Sequence, residues 1–128
     1  PWSSPDASPA PSCEYAIIEE AGTGCGLMRT WPVCQKPQGE SDEGICDLLG
    51  NVWEWTLDAY QPYTISPRDD QPRCLALNCT GEPIARTLRG GGWTAYTPGW
   101  RATIREGYPP LSALNFFGFR VARFPISD

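Results

Sequence analysis

Glycine and proline punctuate this chain so often that no helix or strand can run far. The 13 Gly and 14 Pro among 128 residues supply positive-φ positions and remove backbone donors, so much of the chain must be ordered turn and loop. Disorder is the wrong reading of that punctuation. Hydrophobic residues make up 41% and aromatics 12%, and bulky rigid side chains of this kind build a core in a fold poor in long helices. The expectation is an α+β domain with little regular secondary structure, short antiparallel strands and long loops.

Six cysteines fix those loops. Cys13, Cys25, Cys34, Cys46, Cys74 and Cys79 form no CxxC pair of the zinc or thioredoxin type, and an even count in a small chain reads as a disulfide framework formed in an oxidising compartment. Six cysteines allow about 15 pairings. Pairing in chain order is the simplest, joining Cys13 to Cys25, Cys34 to Cys46 and Cys74 to Cys79. Asn78-Cys79-Thr80 fits the short glycosylation sequon. A secreted or otherwise extracytoplasmic location follows from this framework. The opening residues lack the charged and apolar regions of a signal peptide, so a mature or processed chain is expected.

Charge and histidine count remove several function classes. A net charge of −5 with a single lysine, Lys36, leaves no cationic footprint for nucleic acid or an anionic membrane surface. No apolar stretch approaches the ~20 residues a spanning helix needs, so membrane insertion is not expected. With no histidine, Ser-His-Asp and Cys-His catalysis and His-based metal sites are excluded within this chain. If the cysteines are paired, only oxygen ligands remain for a metal.

Along the chain, residues 1–12 read as an extended Pro/Ser/Ala segment, and Cys13 to Glu20 is a short apolar run whose class stays open. The patch Ile45–Leu49 and Val52–Leu57 is divided by Gly50-Asn51, where a turn or bulge belongs. Residues 58–85 carry four Pro and show no periodicity, which makes them a long loop. Arg86–Arg89 alternates like a strand, Gly90-Gly91-Gly92 demands unusual backbone angles, and Phe117 to Phe124 reads as a closing strand.

The motifs Gly50-Asn51-Val52-Trp53-Glu54-Trp55-Thr56 with Asp58, Arg89-Gly90-Gly91-Gly92-Trp93, and Gly118-Phe119-Arg120-Val121-Ala122-Arg123 occur in that order, with Arg101 and Arg105 before the last. In this the chain resembles the formylglycine-generating enzymes, or sulfatase-modifying factors, which share a variant of the C-type lectin fold. Pro1-Trp2 resembles the start of a segment lying near mid-domain. The resemblance therefore implies that residues 1–128 are a single domain equivalent to the carboxy-terminal half of a family domain, with the amino-terminal half cleaved away, separate or absent.

Physical reasons for these motifs stand beside the resemblance. The glycines let backbones approach or bend, and Trp53, Trp55 and Trp93 supply apolar area for packing, with a ligand-stacking platform as the alternative. Arg89, Arg101, Arg105 and Arg120 suit carboxylate pairs with Glu54, Asp58 or Glu106. The resemblance implies a calcium ion at Gly50, Asn51, Val52 and Glu54, held by carbonyls and a carboxylate, which are hard oxygen donors of the right kind. The alternative is that Glu54 pairs with an arginine and Asn51 caps a turn.

The family's enzymes hold copper(I) on two cysteines that follow the glycine-rich strand. Here Thr94 to Trp100 contains no cysteine, and none follows Cys79, so no copper and no catalytic residue are expected. Relatives that use iron take histidines from another domain, and this chain has none. The reading is a non-catalytic extracytoplasmic binding or assembly module. Its face would be residues 94–115 with Tyr96, Trp100, Tyr108 and Leu111, since exposed aromatics are enriched at interfaces, and variable proteins sharing this fold bind through the corresponding segment. The partner would be another protein or the missing amino-terminal half. Two alternatives stay open. One is an enzyme whose catalytic groups lie in the missing half or another chain, with Asp69, Asp70 or Glu106 as available acids. The other is a stabilising subunit of a larger extracellular assembly.

Overall fold

Strand formation starts where the Gly50-Asn51 turn gives way to an aromatic-rich run. In the computed structural model, which describes residues 12–20, 22–60, 85–94 and 102–122, that run is β1 (Trp53–Ala59), followed by β2 (Arg86–Arg89), β3 (Glu106–Tyr108) and β4 (Phe117–Gly118). They form one sheet in the order β3-β2-β1-β4. The β1–β2 and β2–β3 pairs are antiparallel, as expected, but β4 lies parallel to β1, with Trp53 opposite Phe117 and Glu54 opposite Gly118. Helix among the described residues amounts to a single 3-10 turn at Pro37–Gly39. No helix there is long and apolar enough to cross a membrane.

Two expectations from the sequence are corrected. The closing strand does not extend from Phe117 through Ala122: only Phe117 and Gly118 pair, because Arg120 crosses from the sheet edge to bind Glu54 and the carbonyls of Cys46 and Asp47. Residues 123 and 124 lie outside the described ones. The run from Cys13 to Glu20, whose class the sequence leaves open, forms turns and bends rather than a strand or helix.

The β1–β2 ladder slips between Trp55 and Ala59, so three residues of β1 bulge against one position of β2. A bulge orphans backbone groups, and the buried Arg86 answers by donating from Nη1 to the Leu57 carbonyl at 2.8 Å. Both faces of β2 are covered: Arg86, Thr87 and Leu88 are all buried. This departs from the alternating exposure that the Arg86–Arg89 pattern suggests.

The core is small. Ala16, Ile18 and Leu49 cluster with Cys13 and Tyr15 against them, while Ile17, Trp53, Ala59, Leu88 and Trp93 are also buried. A core of this size needs covalent support. Bridges join Cys13 to Cys25 and Cys34 to Cys46, each the chain-order pairing. Cys74, Cys79 and the Asn78 sequon lie outside the described residues.

Candidate functional site

The Gly50-Asn51 turn is where the separate loops meet. Both residues have positive φ, +81° and +62°, a conformation glycine adopts freely and asparagine tolerates better than most side chains. A Cβ on Gly50 would also sit 2.5 Å from the Ile17 carbonyl oxygen. Turned this way, the two residues bind in four directions. Gly50 N donates to Gly90 O at 2.9 Å, Asn51 N donates to Ile17 O at 2.7 Å, and Asn51 O accepts from Trp93 N at 2.9 Å. The Asn51 side chain accepts from Trp31 N at 3.0 Å and donates to Trp31 O at 3.2 Å. Asn51 is 4% exposed, so every polar atom of its amide group needs such a partner.

The glycine triplet completes the node. Gly90 and Gly91 take positive φ, and Gly92, which does not, leaves room for the Trp53 ring 3.0 Å from where its Cβ would be. Trp53 and Trp93 are buried, and Trp93 donates its indole N–H to Asn115 O. Trp55 is half-buried edge-on to Phe117, 5.3 Å between ring centres. These tryptophans pack against the protein itself.

Glu54 leaves β1 beside this node and meets Arg120. The guanidinium binds both carboxylate oxygens, Nε to Oε2 at 2.6 Å and Nη2 to Oε1, and donates further to Cys46 O at 3.0 Å and Asp47 O at 2.8 Å. Hydrogen bonding to Glu54 raises the Arg120 pKa above its ordinary value. The other arginines take different partners. Arg89 donates to Thr103 O and Ile104 O, and Arg105 lies 5.5 Å over the Tyr60 ring. Arg101 lies outside the described residues. Asp58 and Glu106 are exposed.

The positions expected to hold calcium, Gly50, Asn51, Val52 and Glu54, are brought together by this turn. The oxygens of Asn51 and Glu54 already have partners. Both Glu54 oxygens face a guanidinium, the Asn51 carbonyl and side-chain oxygen each accept an N–H, and a bound arginine places positive charge where a cation would need negative. In this arrangement Glu54 and Asn51 would have to give up these partners to bind the ion.

Of the expected binding face, Tyr96 and Trp100 lie outside the described residues, as do Asp69 and Asp70. Tyr108 is half-buried, its ring 4.9 Å from Phe117 in an edge contact. Leu111, by contrast, is 96% exposed. Sequence reasoning missed Trp31, whose backbone pins Asn51 from 20 positions away. It also missed Asp47, whose Oδ2 accepts from Cys34 N at 2.7 Å; its place beside Cys46 was the one local signal.

A family described as the sulfatase-modifying factor enzyme 1-like domain matches residues 14–125. Among curated proteins, the chain is 32% identical over 127 residues to a hercynine oxygenase of Mycolicibacterium thermoresistibile, covering 95% of this chain and 26% of that protein. It is 35% identical over 88 residues to the mouse inactive C-alpha-formylglycine-generating enzyme 2, covering 65% and 23%. The formylglycine-generating enzyme of Mycobacterium tuberculosis is 32% identical over 111 residues, covering 80% and 36%. The chain thus spans about a quarter to a third of the length of these relatives. In fold it is similar to Treponema denticola variable protein 1, with a TM-score of 0.64 at 24% identity, covering 83% of this chain and 34% of the other. The small curled mixed sheet with few helices and two bridges is an α+β, C-type-lectin-like fold.

Proposed function

This chain belongs to the sulfatase-modifying factor family, and from that premise we propose that it acts as a non-catalytic binding or assembly module outside the cytoplasm. One observation carries the reading. The segment after the glycine-rich strand, Thr94 to Trp100, has no cysteine, none occurs from Thr80 to Asp128, and the chain has no histidine. Copper(I) wants soft thiolates, and the side chains present after Trp93 supply none. Similarity to a mammalian protein described as inactive supports the same reading.

What the geometry contributes is a rigid base for loops. The motifs that mark the family are spent on the Gly50-Asn51 node, the glycine crossing and the Glu54–Arg120 pair, all of which join one segment to another. Recognition on such a scaffold falls to the loops it holds. Leu111 at 96% exposure and the half-exposed Leu114, at 45%, are apolar groups of the 102–115 segment offered to solvent. A protein partner, or the remainder of a family domain, would cover them. Bridges Cys13–Cys25 and Cys34–Cys46 support an oxidising compartment.

Hydroxyl-radical footprinting of native material against the isolated chain tests the binding role. Tyr108 and Leu111 should be protected in the native assembly. Equal modification in both samples would sink this face as an interface.

A further inference from the structure

Three segments far apart in the sequence are knitted together around the Cys34–Cys46 bridge, and each leaves large apolar side chains in solvent. The bridge and the bond from Cys34 N to Asp47 Oδ2 join residues 33–34 to 45–48. Arg120 then ties the chain after β4 to the same place, through Cys46 O and Asp47 O. Beside these tied residues Val33 is 72% exposed, Phe119 75% and Val121 86%, and Ile45 and Leu48 are exposed too. They are five of the eleven large hydrophobics in solvent among the described residues, so apolar exposure is concentrated here rather than scattered. We propose that this face docks a second protein, through an apolar contact whose margin on the partner carries lysine or arginine.

Charge beside the face selects that partner. Ser41 N donates to Ile45 O at 3.0 Å and Ile45 N donates to Ser41 Oγ at 3.3 Å, which closes a turn holding Glu40, Asp42 and Glu43 next to Ile45. The other charges near the knot are engaged within the chain. Arg120 is matched by Glu54, Asp47 accepts from Cys34 N, and Lys36, in the same disulfide-closed loop, lies 4.6 Å over the Trp31 ring. A partner therefore meets an apolar centre with three carboxylates on its margin. Complementary charge at such a margin steers the right partner in and turns wrong ones away, while the apolar centre supplies the contact.

Other occupants fit this margin less well. A second copy brings the same acidic turn and a further net charge of −5, so like charges would crowd the contact. An anionic lipid surface would be repelled by the same three carboxylates. Rigidity favours docking as well, because the bridge and the Arg120 bonds fix the main chain beside the exposed side chains, and little order has to be gained on binding. This face uses none of the residues of the 102–115 segment, and neither reading depends on the other. Tyr108 and Leu111 report that segment, whereas Phe119 and Val121 report this face.

The probe is a short peptide alternating leucine with lysine, titrated into the disulfide-bonded chain, with a leucine–glutamate peptide as its control. Binding is followed by NMR at the Ile45, Leu48 and Val121 methyl groups and the Phe119 ring. The expected result is one lysine peptide per chain, with shifts at these four residues and none at Leu111. Affinity should fall about tenfold or more in Phe119→Ser, and likewise in a variant combining Glu40→Gln, Asp42→Asn and Glu43→Gln. It should also weaken as salt rises from about 50 to about 500 mM. None of these four side chains is buried, so both variants should keep the circular dichroism spectrum of the parent. Equal binding of the glutamate peptide, or affinity unchanged in Phe119→Ser, would overturn the proposal. So would a dimer in sedimentation that Phe119→Ser dissociates, adsorption to phosphatidylserine vesicles that Phe119→Ser abolishes, or Phe119 and Val121 shielded in native material by polypeptide continuous with this chain.

Discussion

Through one guanidinium Arg120 ties β1 to the loop carrying Cys46 and Asp47, binding a carboxylate and two carbonyls. Its side chain is 36% exposed and that of Glu54 17%, between the surface pairs worth ~0–1 kcal/mol and the buried ones whose breaking costs ~3–5 kcal/mol. Arg120→Lys, which keeps charge but loses the planar fork, should therefore cost about 1–3 kcal/mol in urea unfolding. An unchanged midpoint would show that the pair is ornamental. The sign of the pH effect follows from the raised Arg120 pKa. That contribution is fully present below the unfolded arginine value and is lost only as pH rises through the still higher folded value, so between pH 6 and 10 the Arg120 side of the pair should leave stability flat. Gly50→Ala should lose more than ~1 kcal/mol, because alanine is strained at φ +81° and its Cβ meets the Ile17 carbonyl. Residue by residue, the sequence was most legible at such glycines. The Glu54 pairing was weighed but its partner was one of four arginines, and choosing Arg120 required knowing that the chain after Gly118 leaves the sheet.

At the scale of elements, the strands were legible where aromatic and β-branched residues follow a turn, as in β1 and β2, and illegible where a strand is two residues long. β4 carries an alternating pattern, Phe117 to Phe124, that its neighbours do not let it use. Loops were legible through their cysteines, since short separations of 12 residues made chain-order pairing the simplest choice. Opening the Cys34–Cys46 bridge by double serine substitution should cost ~2–5 kcal/mol, as native bridges in small domains do, read as a drop in thermal midpoint. The turn at Gly50 to Glu54 gives a second prediction. With Glu54 paired to Arg120 and the Asn51 oxygens bonded to Trp31 and Trp93, chelator should leave the melting curve unchanged, while Glu54→Gln should lower it. A chelator-induced drop matched by added calcium would mean that Arg120 yields its place to the ion.

For the molecule as a whole, the proposal is that the family scaffold serves here without the family's redox chemistry. The scaffold was readable because its motifs are packing devices whose physical demands show in the residues themselves. The face was less so: Leu111 stands in solvent, but Tyr108 turns out to be shared with the Phe117 cluster, a contact set by the parallel β4 pairing that no periodicity announced. The central claim is tested most directly by incubating the purified chain with copper(I), oxygen, a thiol reductant and a peptide bearing the sulfatase cysteine motif, and scoring formylglycine by mass spectrometry and an aldehyde-reactive probe. The formylglycine-generating enzyme of Mycobacterium tuberculosis serves as positive control. The account predicts no conversion above the copper-only blank, whereas multiple turnovers per chain would contradict it.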